Sequence, residues 1–355
     1  MTLIEHYIMR EIRRLVMVIV GFLIFIFAIY SAQRYLTEAA NGTLALKAVA
    51  AIVFYKVVIA LEMLLPVGLY VAAAVALGQL YSNSEITALF AAGISPLRIY
   101  KAVLMLAVPL AMLVTALSMV VRPWAYAQID LLRQDAQSTL DVGHLQAQKF
   151  NLDDNGSMIL AQQVDRNLNH LSDTLIYRST ANVTTVLRAR SASVAWPDGV
   201  PVVTLLAGSA YTLDHHGMAD NQHIYQRLQL YPTPAKPDDD ARSKSLSVRQ
   251  LVASSSPTDA AELQWRESRG ITTLLMALMA VSLSRLKPRQ GRFTTLLPLA
   301  LVFTLIFFGG NVCRTLVATG TLPVMPGVWL FSLLMLLGVS ALSARDFGLL
   351  PIFSR

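Results

Sequence analysis

Long runs of apolar residues constrain the fold of this chain more than any other feature. A helix needs about 20 apolar residues to cross the hydrocarbon of a bilayer. Five runs approach or reach that length, at 15–33, 57–79, 102–121, 293–313 and about 322–343. A sixth run, from Gly270 to Ser284, is shorter and spans only if Arg269 reaches the headgroups or faces a polar cavity. The pattern predicts an α-helical polytopic membrane protein with six transmembrane helices, three before and three after a polar segment.

The composition supports this class. Only 14% of the 355 residues are charged, whereas a soluble domain carries about a quarter. The net charge is +7, but the basic residues cluster at the ends of apolar runs and form no patch typical of nucleic-acid binding. The first apolar run is longer than the core of a signal peptide, so we expect a retained anchor. Cys313 is the one cysteine, which excludes an internal disulfide.

The distribution of basic residues predicts the orientation. With six spans, the loops richest in Lys and Arg all fall on the side that holds both termini, and such loops face the cytoplasm. These residues are Arg10, Arg13, Arg14, Arg98, Lys101, Arg285, Lys287, Arg289, Arg292 and Arg345. The polar segment therefore faces the outside or the periplasm.

The polar segment begins with a helical extension of the third span, Trp124 to Ser138, and then becomes strand-like. Eight short runs of strand character follow, at 144–150, 157–164, 173–179, 183–189, 191–196, 202–207, 210–213 and 223–231. They predict an all-β domain, a β-sandwich or jelly roll. A flexible loop at 232–247 and a new helix starting near Ser256 lead to the fourth span. The domain prediction is residues 1–121 for the first three spans, 122–265 for the β domain with flanking helices, and 266–355 for the rest.

A short amphipathic segment at about 82–95 separates the second and third spans. Ser84 is predicted to cap this helix through its hydroxyl, and Glu85 suits the positive end of the helix dipole. Gly93 marks the helix end. The segment is either a solvated connector or a docking helix that receives force from a cytoplasmic partner.

Several cations lie near the outer ends of the predicted spans, against the usual inward bias. They are Arg34, Lys56, Arg122, Arg269 and Arg314, with Lys47 in the first outer loop. Each alone is explained by snorkelling to headgroups, while the group favours an anionic ligand at the outer leaflet. Glu62 lies inside the second span, and its spacing from Lys56 does not place both on one helical face.

The motifs that are absent narrow the function. No G-x-x-x-x-G-K-[ST] occurs, so this chain does not bind ATP through a P-loop. Glu62 is the only carboxylate within a predicted span, which weakens an ion-coupled transporter and favours a partner ATPase at 82–95. His215, His216 and His223 lack further ligands at a recognisable spacing, and no hydrolase motif is present. We therefore predict no catalytic and no metal site.

Three motifs resemble the lipopolysaccharide-export permeases of Gram-negative inner membranes. The first joins Leu65-Pro66-x-Gly68-Leu69 to Gly78-Gln79-Leu80-Tyr81 and to the segment from Ser84 to Ser95. The second is Ala261-Glu262-Leu263-Gln264-Trp265-Arg266 before the fourth span. The third, Pro288-Arg289-Gln290-Gly291-Arg292, is similar to the F-type subunit rather than its G-type sister. The layout of three spans, β insert and three spans matches over essentially the whole chain.

The resemblance implies a multi-pass permease subunit of an ABC exporter in the bacterial inner membrane, with both termini cytoplasmic and the β domain periplasmic. Its partners would be a G-type permease, a dimeric cytoplasmic ATPase that holds ATP and Mg²⁺, and a single-span bridge protein with a jelly-roll domain. The substrate would be lipopolysaccharide, taken from the outer leaflet, and this chain would bind no cofactor and no nucleic acid. Glu85, flanked by Ser84 and Gly93, would couple to the ATPase, and the six outer cations are candidates for the phosphates of lipid A.

A function from another class remains open on the sequence. The chain would then be a membrane-anchored scaffold or sensor whose outer domain binds an envelope component without transport. Such a protein would need no ATPase and would tolerate loss of the outer cations.

Overall fold

A computed structural model describes residues 3–40, 46–138, 150–152, 158–165, 170–179, 183–195, 202–215, 217, 220–230, 239–285 and 293–346. The structural statements below concern these residues. The helices are α1 Leu3–Ala40, α2 Leu46–Ser82, α3 Glu85–Ala91, α4 Leu97–Ala116, α5 Arg122–Ser138, α6 Asp239–Ser245, α7 Val248–Ala253, α8 Pro257–Leu283, α9 Phe293–Ala318 and α10 Trp329–Asp346. A π-helical turn, Leu117–Val121, joins α4 to α5. The strands are β1 Phe150–Leu152, β2 Met158–Asp165, β3 His170–Ser179, β4 Val183–Ala195, β5 Val202–Asp214 and β6 Asn221–Leu230.

The helices confirm the prediction of a polytopic α-helical protein. By length and composition, four stretches within the described residues can cross a membrane: Leu3–Ala40, Ala48–Ser82, Leu97–Arg133 and Leu299–Ala318. The sixth predicted apolar run lies inside α8, and the last one corresponds to the shorter apolar helix Trp329–Ala344. For these two the assignment as spans stays a prediction.

Small residues set the packing of the helical unit, which comprises residues 1–35, 50–130 and 238–355. Fully buried alanines recur on three of its helices: Ala72, Ala73 and Ala76 on α2, Ala102 and Ala107 on α4, and Ala277 and Ala280 on α8. Lipid tails are as apolar as leucine, so helices in a membrane gain stability by close approach rather than by hydrophobic burial. Small side chains permit that approach, which brings polar groups on neighbouring helices within bonding distance.

The second compact unit, residues 36–49 and 131–237, contains the sheet. Six antiparallel strands are paired in chain order from β1 to β6. The prediction of an inserted all-β domain is confirmed. The described strands form one continuous meander, and among them there is none of the crossing between two sheets that defines a jelly roll or sandwich.

A row of irregular residues, which we call the crease, runs across this sheet. In each of five strands, one residue is left out of the pairing, which continues regularly on both sides of it. These residues are Gln162, Asp173, Arg190, Ala207 and Gln226. Two of them, Asp173 and Ala207, have positive φ angles of 50° and 52°. The register stays one-to-one across these positions, so no strand carries the extra residue of a β-bulge.

The crease explains how both halves of the sheet share one apolar face. Leu171, Ala192 and Leu205 form a row on one side of it, and Ala161 and Ala189 belong to a row on the other, yet all five lie in one buried cluster. The two rows are three residues apart along each strand. In a regular strand an odd spacing points side chains to opposite faces, so the irregular residue restores the common face.

The structure corrects two details of the sequence reading. The run 183–189 and residues 191–195 of the next run form the single strand β4, and the runs 202–207 and 210–213 belong to β5. At the crease the alternation of apolar and polar residues changes phase, so the sequence pattern resembles the end of one strand and the start of another. The loop predicted at 232–247 contains the helix α6. Most of the run 144–150 lies outside the described residues.

Candidate functional site

The segment between α2 and α4 contains the short helix that the sequence predicted. Ser84 stands at its N-cap position, but the hydroxyl makes no capping hydrogen bond. The backbone of Ser84 is left-handed, with φ 62°, whereas a capping side chain needs an extended backbone to reach the first free amides. The prediction of a hydroxyl cap at Ser84 is therefore wrong.

Gly93 ends this helix as predicted. Its φ of 82° lies in the region that favours glycine. The amide of Gly93 donates to the Phe90 carbonyl and the amide of Ile94 to the Leu89 carbonyl, both at 3.0 Å. This pair of bonds is a Schellman motif, which satisfies the last carbonyls of the helix.

Glu85 lies in the first turn of α3, next to the fully buried Ile86. The two oxygens of its carboxylate accept from different donors: Tyr7 Oη lies 3.0 Å from Oε2, and Asn83 Nδ2 lies 3.3 Å from Oε1. Ile86 fixes the helix in the apolar core while Glu85 remains partly exposed. The segment thus presents an oriented carboxylate from a fixed position between two candidate spans.

A second site lies within the helical unit, where Glu62 on α2 is buried. Arg122 Nη1 donates to both oxygens of Glu62, at 2.9 and 3.1 Å, and Ser118 Oγ donates to Oε1 at 3.1 Å. Arg269 Nε forms an ion pair with Oε1 at 3.3 Å. The sequence did not identify the partners of Glu62, and the structure shows them to be Arg122, Ser118 and Arg269.

Ser118 and Arg122, which bond the same carboxylate, lie in and directly after the π-helical turn. Pro123 follows Arg122 and lacks an N–H, and its ring crowds the carbonyl four residues earlier. The widened turn directly before it relieves this conflict, since such bulges arise where the helical ladder is interrupted.

Glu262 on α8 is the centre of the same network and is fully buried. Its carboxylate meets Arg266 Nε at 3.0 Å, Arg314 Nη2 at 3.1 Å and Arg122 Nη2 at 3.2 Å. Arg122 therefore bridges Glu62 and Glu262. We call these groups, together with Asp240 and Lys244, the arginine–carboxylate cluster.

The cluster also holds the segment that precedes α8. Arg266 is fully buried and donates to the carbonyls of Ser243, Lys244 and Leu246 at 2.9 to 3.1 Å. Asp240 on α6 accepts from Arg314 and Lys244. Burial raises the pKa of Asp240, but the Lys244 hydrogen bond and the charge of Arg314 outweigh it, so the pKa lies below its usual value.

The structure brings three of the predicted outer cations, Arg122, Arg269 and Arg314, into this cluster. Lys56 Nζ lies 5.0 Å from the ring centroid of Tyr126, whose ring Arg122 also approaches at 5.8 Å. Arg34 is exposed on α1 and lies over the Tyr35 ring. The side chain of Lys47 lies outside the described residues. A role of these cations in binding lipid phosphate stays a prediction.

No role was predicted from the sequence for the carboxylates of Glu262 and Asp240. Arg266 follows Glu262 by four residues, the spacing of a helical ion pair, and this was the available signal. The contacts from Glu262 to Arg122 and Arg314 join distant parts of the chain and leave no local pattern.

His215 Nε2, one of the histidines considered for a metal, lies 2.8 Å from Thr184 Oγ1.

Comparison with known proteins decides the family. The model of the lipopolysaccharide export system permease LptF/LptG matches residues 6–345. The chain belongs to the LptF/LptG family. It is 28% identical over 314 residues to the lipopolysaccharide export system permease protein LptF of Escherichia coli strain K12, covering 86% of this chain and 84% of that protein. LptF of Shigella flexneri aligns with the same figures.

Membership of the LptF/LptG family makes this chain a multi-pass permease subunit for lipopolysaccharide export. Membership of a permease family contradicts the alternative of a scaffold or sensor, because that alternative involved no transport. Both relatives are LptF proteins, in agreement with the F-type resemblance of the sequence. The F-type motif at 288–292 lies outside the described residues.

The buried network permits a direct test of Glu262. Replacing Glu262 with Gln removes the negative charge that three arginines share, and loss of one partner of a buried ion pair costs about 3–5 kcal/mol. We expect Glu262→Gln to lower the thermal unfolding midpoint of the purified permease by several degrees. The matched control is Glu267→Gln, on an exposed position of the same helix, which should change little. Equal midpoints for the two variants would contradict a structural role for the cluster.

Proposed function

We propose that this chain is the F-type permease of an ABC exporter. It takes lipopolysaccharide from the outer leaflet of the inner membrane and passes it through the β domain, within 122–265, toward the outer membrane. A G-type permease completes the membrane path, a bridge protein continues it, and a dimeric cytoplasmic ATPase supplies the energy. Both termini lie in the cytoplasm, ATP and Mg²⁺ belong to the ATPase, and this chain is not catalytic.

The observation that carries the proposal is the geometry of α3. A helix of seven residues that stands alone would be marginal in water, but Ile86 anchors α3 in the core and the Schellman motif closes its end. Movement of a partner attached to α3 is therefore transmitted to α2 and α4. Glu85 supplies a charge for a cationic group on the ATPase, as the family resemblance implies.

Replacing Glu85 with Ala tests this coupling. We expect the variant to insert and fold normally, because the side chain is partly exposed, and to export several-fold less lipopolysaccharide per ATP hydrolysed in proteoliposomes. Thr87→Ala is the matched control, since Thr87 is exposed on the same short helix. Normal export by Glu85→Ala would refute the role of α3 as the coupling helix.

The lipid end of the proposal rests on the arginine–carboxylate cluster. Four arginines and Lys244 meet three carboxylates there. Within the described residues, Nε of Arg122 and Nε of Arg314 are buried without a hydrogen-bond acceptor. Excess cations with open donors favour one further anion, and guanidinium groups bind phosphate oxygens well.

Arg269 is the candidate best placed for a lipid phosphate. It lines a pocket formed by α2, α8 and α9 whose other walls are mainly apolar. Trp265 also lines this pocket, its ring centroid 4.2 Å from the Arg269 guanidinium carbon. Its indole N–H is buried without an acceptor in the described residues. An apolar pocket lined by a guanidinium group and an indole ring suits an acylated, phosphorylated lipid.

Separating a binding role of Arg269 from a structural one needs a charge-balanced pair. Arg269→Gln alone removes a cation and leaves the buried charge of Glu62 with one partner fewer. The double variant Glu62→Gln, Arg269→Gln removes both charges. We expect both variants to retain several-fold less lipopolysaccharide on purification than the wild type. Recovery of normal lipopolysaccharide content in the double variant would show that Arg269 acts only by balancing Glu62.

A further inference from the structure

The first turns of α1 lie against the segment that contains α3. Tyr7 Oη donates to Glu85 Oε2 at 3.0 Å, and Lys101 Nζ, on α4, pairs with the buried Glu5 at 3.3 Å. These polar contacts therefore reach from α1 to both α3 and α4. Ile8 of α1 and Ile86 of α3 are fully buried in the same apolar cluster.

Apolar packing fixes the backbone of α3 but not the direction of its carboxylate. Glutamate has three rotatable side-chain bonds, and ordering a free glutamate for binding costs conformational entropy. In this structure both oxygens of Glu85 are already engaged, Oε2 by Tyr7 and Oε1 by Asn83. A carboxylate has about four acceptor sites, so two donors leave capacity for a cation of a partner.

We propose that Tyr7 is a positioning residue for Glu85, which holds the carboxylate in the direction that the cation of the partner ATPase requires. This inference rests on the proposed coupling role of α3. The Tyr7 side chain is nearly half exposed, at 48%. Removal of its hydroxyl therefore leaves the ring in place and opens no buried cavity.

The variant Tyr7→Phe tests the inference in the complete complex with its ATPase, reconstituted in proteoliposomes. Loss of a hydrogen bond to a charged group weakens the productive interaction of Glu85 by roughly tenfold or more. We expect the lipopolysaccharide released per ATP hydrolysed to fall several-fold, and by no more than in Glu85→Ala, because Tyr7 acts through Glu85. Tyr30→Phe is the matched control, because Tyr30 is exposed on the same helix.

The double variant Tyr7→Phe, Glu85→Ala distinguishes positioning from a general effect on folding. If Tyr7 acts through Glu85, its substitution has no further effect once Glu85 is replaced, so the two losses are not additive. Additive losses, or wild-type coupling in Tyr7→Phe beside an impaired Glu85→Ala, would overturn the role of Tyr7 and leave the coupling helix standing. Normal coupling in Glu85→Ala would instead refute the proposed function of α3, and the role of Tyr7 with it.

Discussion

The sharing of two buried carboxylates among four arginines is the interaction on which the helical unit depends. Glu62 and Glu262 belong to different helices, and Arg122 contacts both. Taking such charges out of water costs several kcal/mol for each ion unless geometry and hydrogen bonds offset it. The π-helical turn before Arg122 and the three backbone carbonyls around Arg266 supply that geometry. The charge network thus involves both an irregular helix and the short segment that precedes α8.

The helix α2 links this network to α3. Glu62 and Ser82 are separated by 20 residues of α2, which corresponds to about 30 Å along a helix axis. Pro66 lies within this stretch and is a site where the helix can bend. A helix that carries a buried ion pair near its middle and leads to α3 at one end connects the two sites within the helical unit.

Local chemistry predicted much of the fold, and the failures have physical causes. Apolar runs located the helices, and glycine chemistry located the end of α3 at Gly93. The hydroxyl cap failed because the backbone of Ser84 is left-handed. The strand count failed because the phase of alternation changes at residues such as Arg190, where a crease looks like a break. The cluster could not be assembled because its contacts connect residues as distant as Glu62 and Arg269.

The most direct test of the whole account is mass spectrometry of the complex extracted from the membrane with its native lipids. We expect a second six-span permease, a P-loop ATPase in two copies and bound lipopolysaccharide beside this chain. Recovery of the chain alone, or with ordinary phospholipid and no ATPase, would contradict the claim that it works as one half of an ATP-driven lipid exporter.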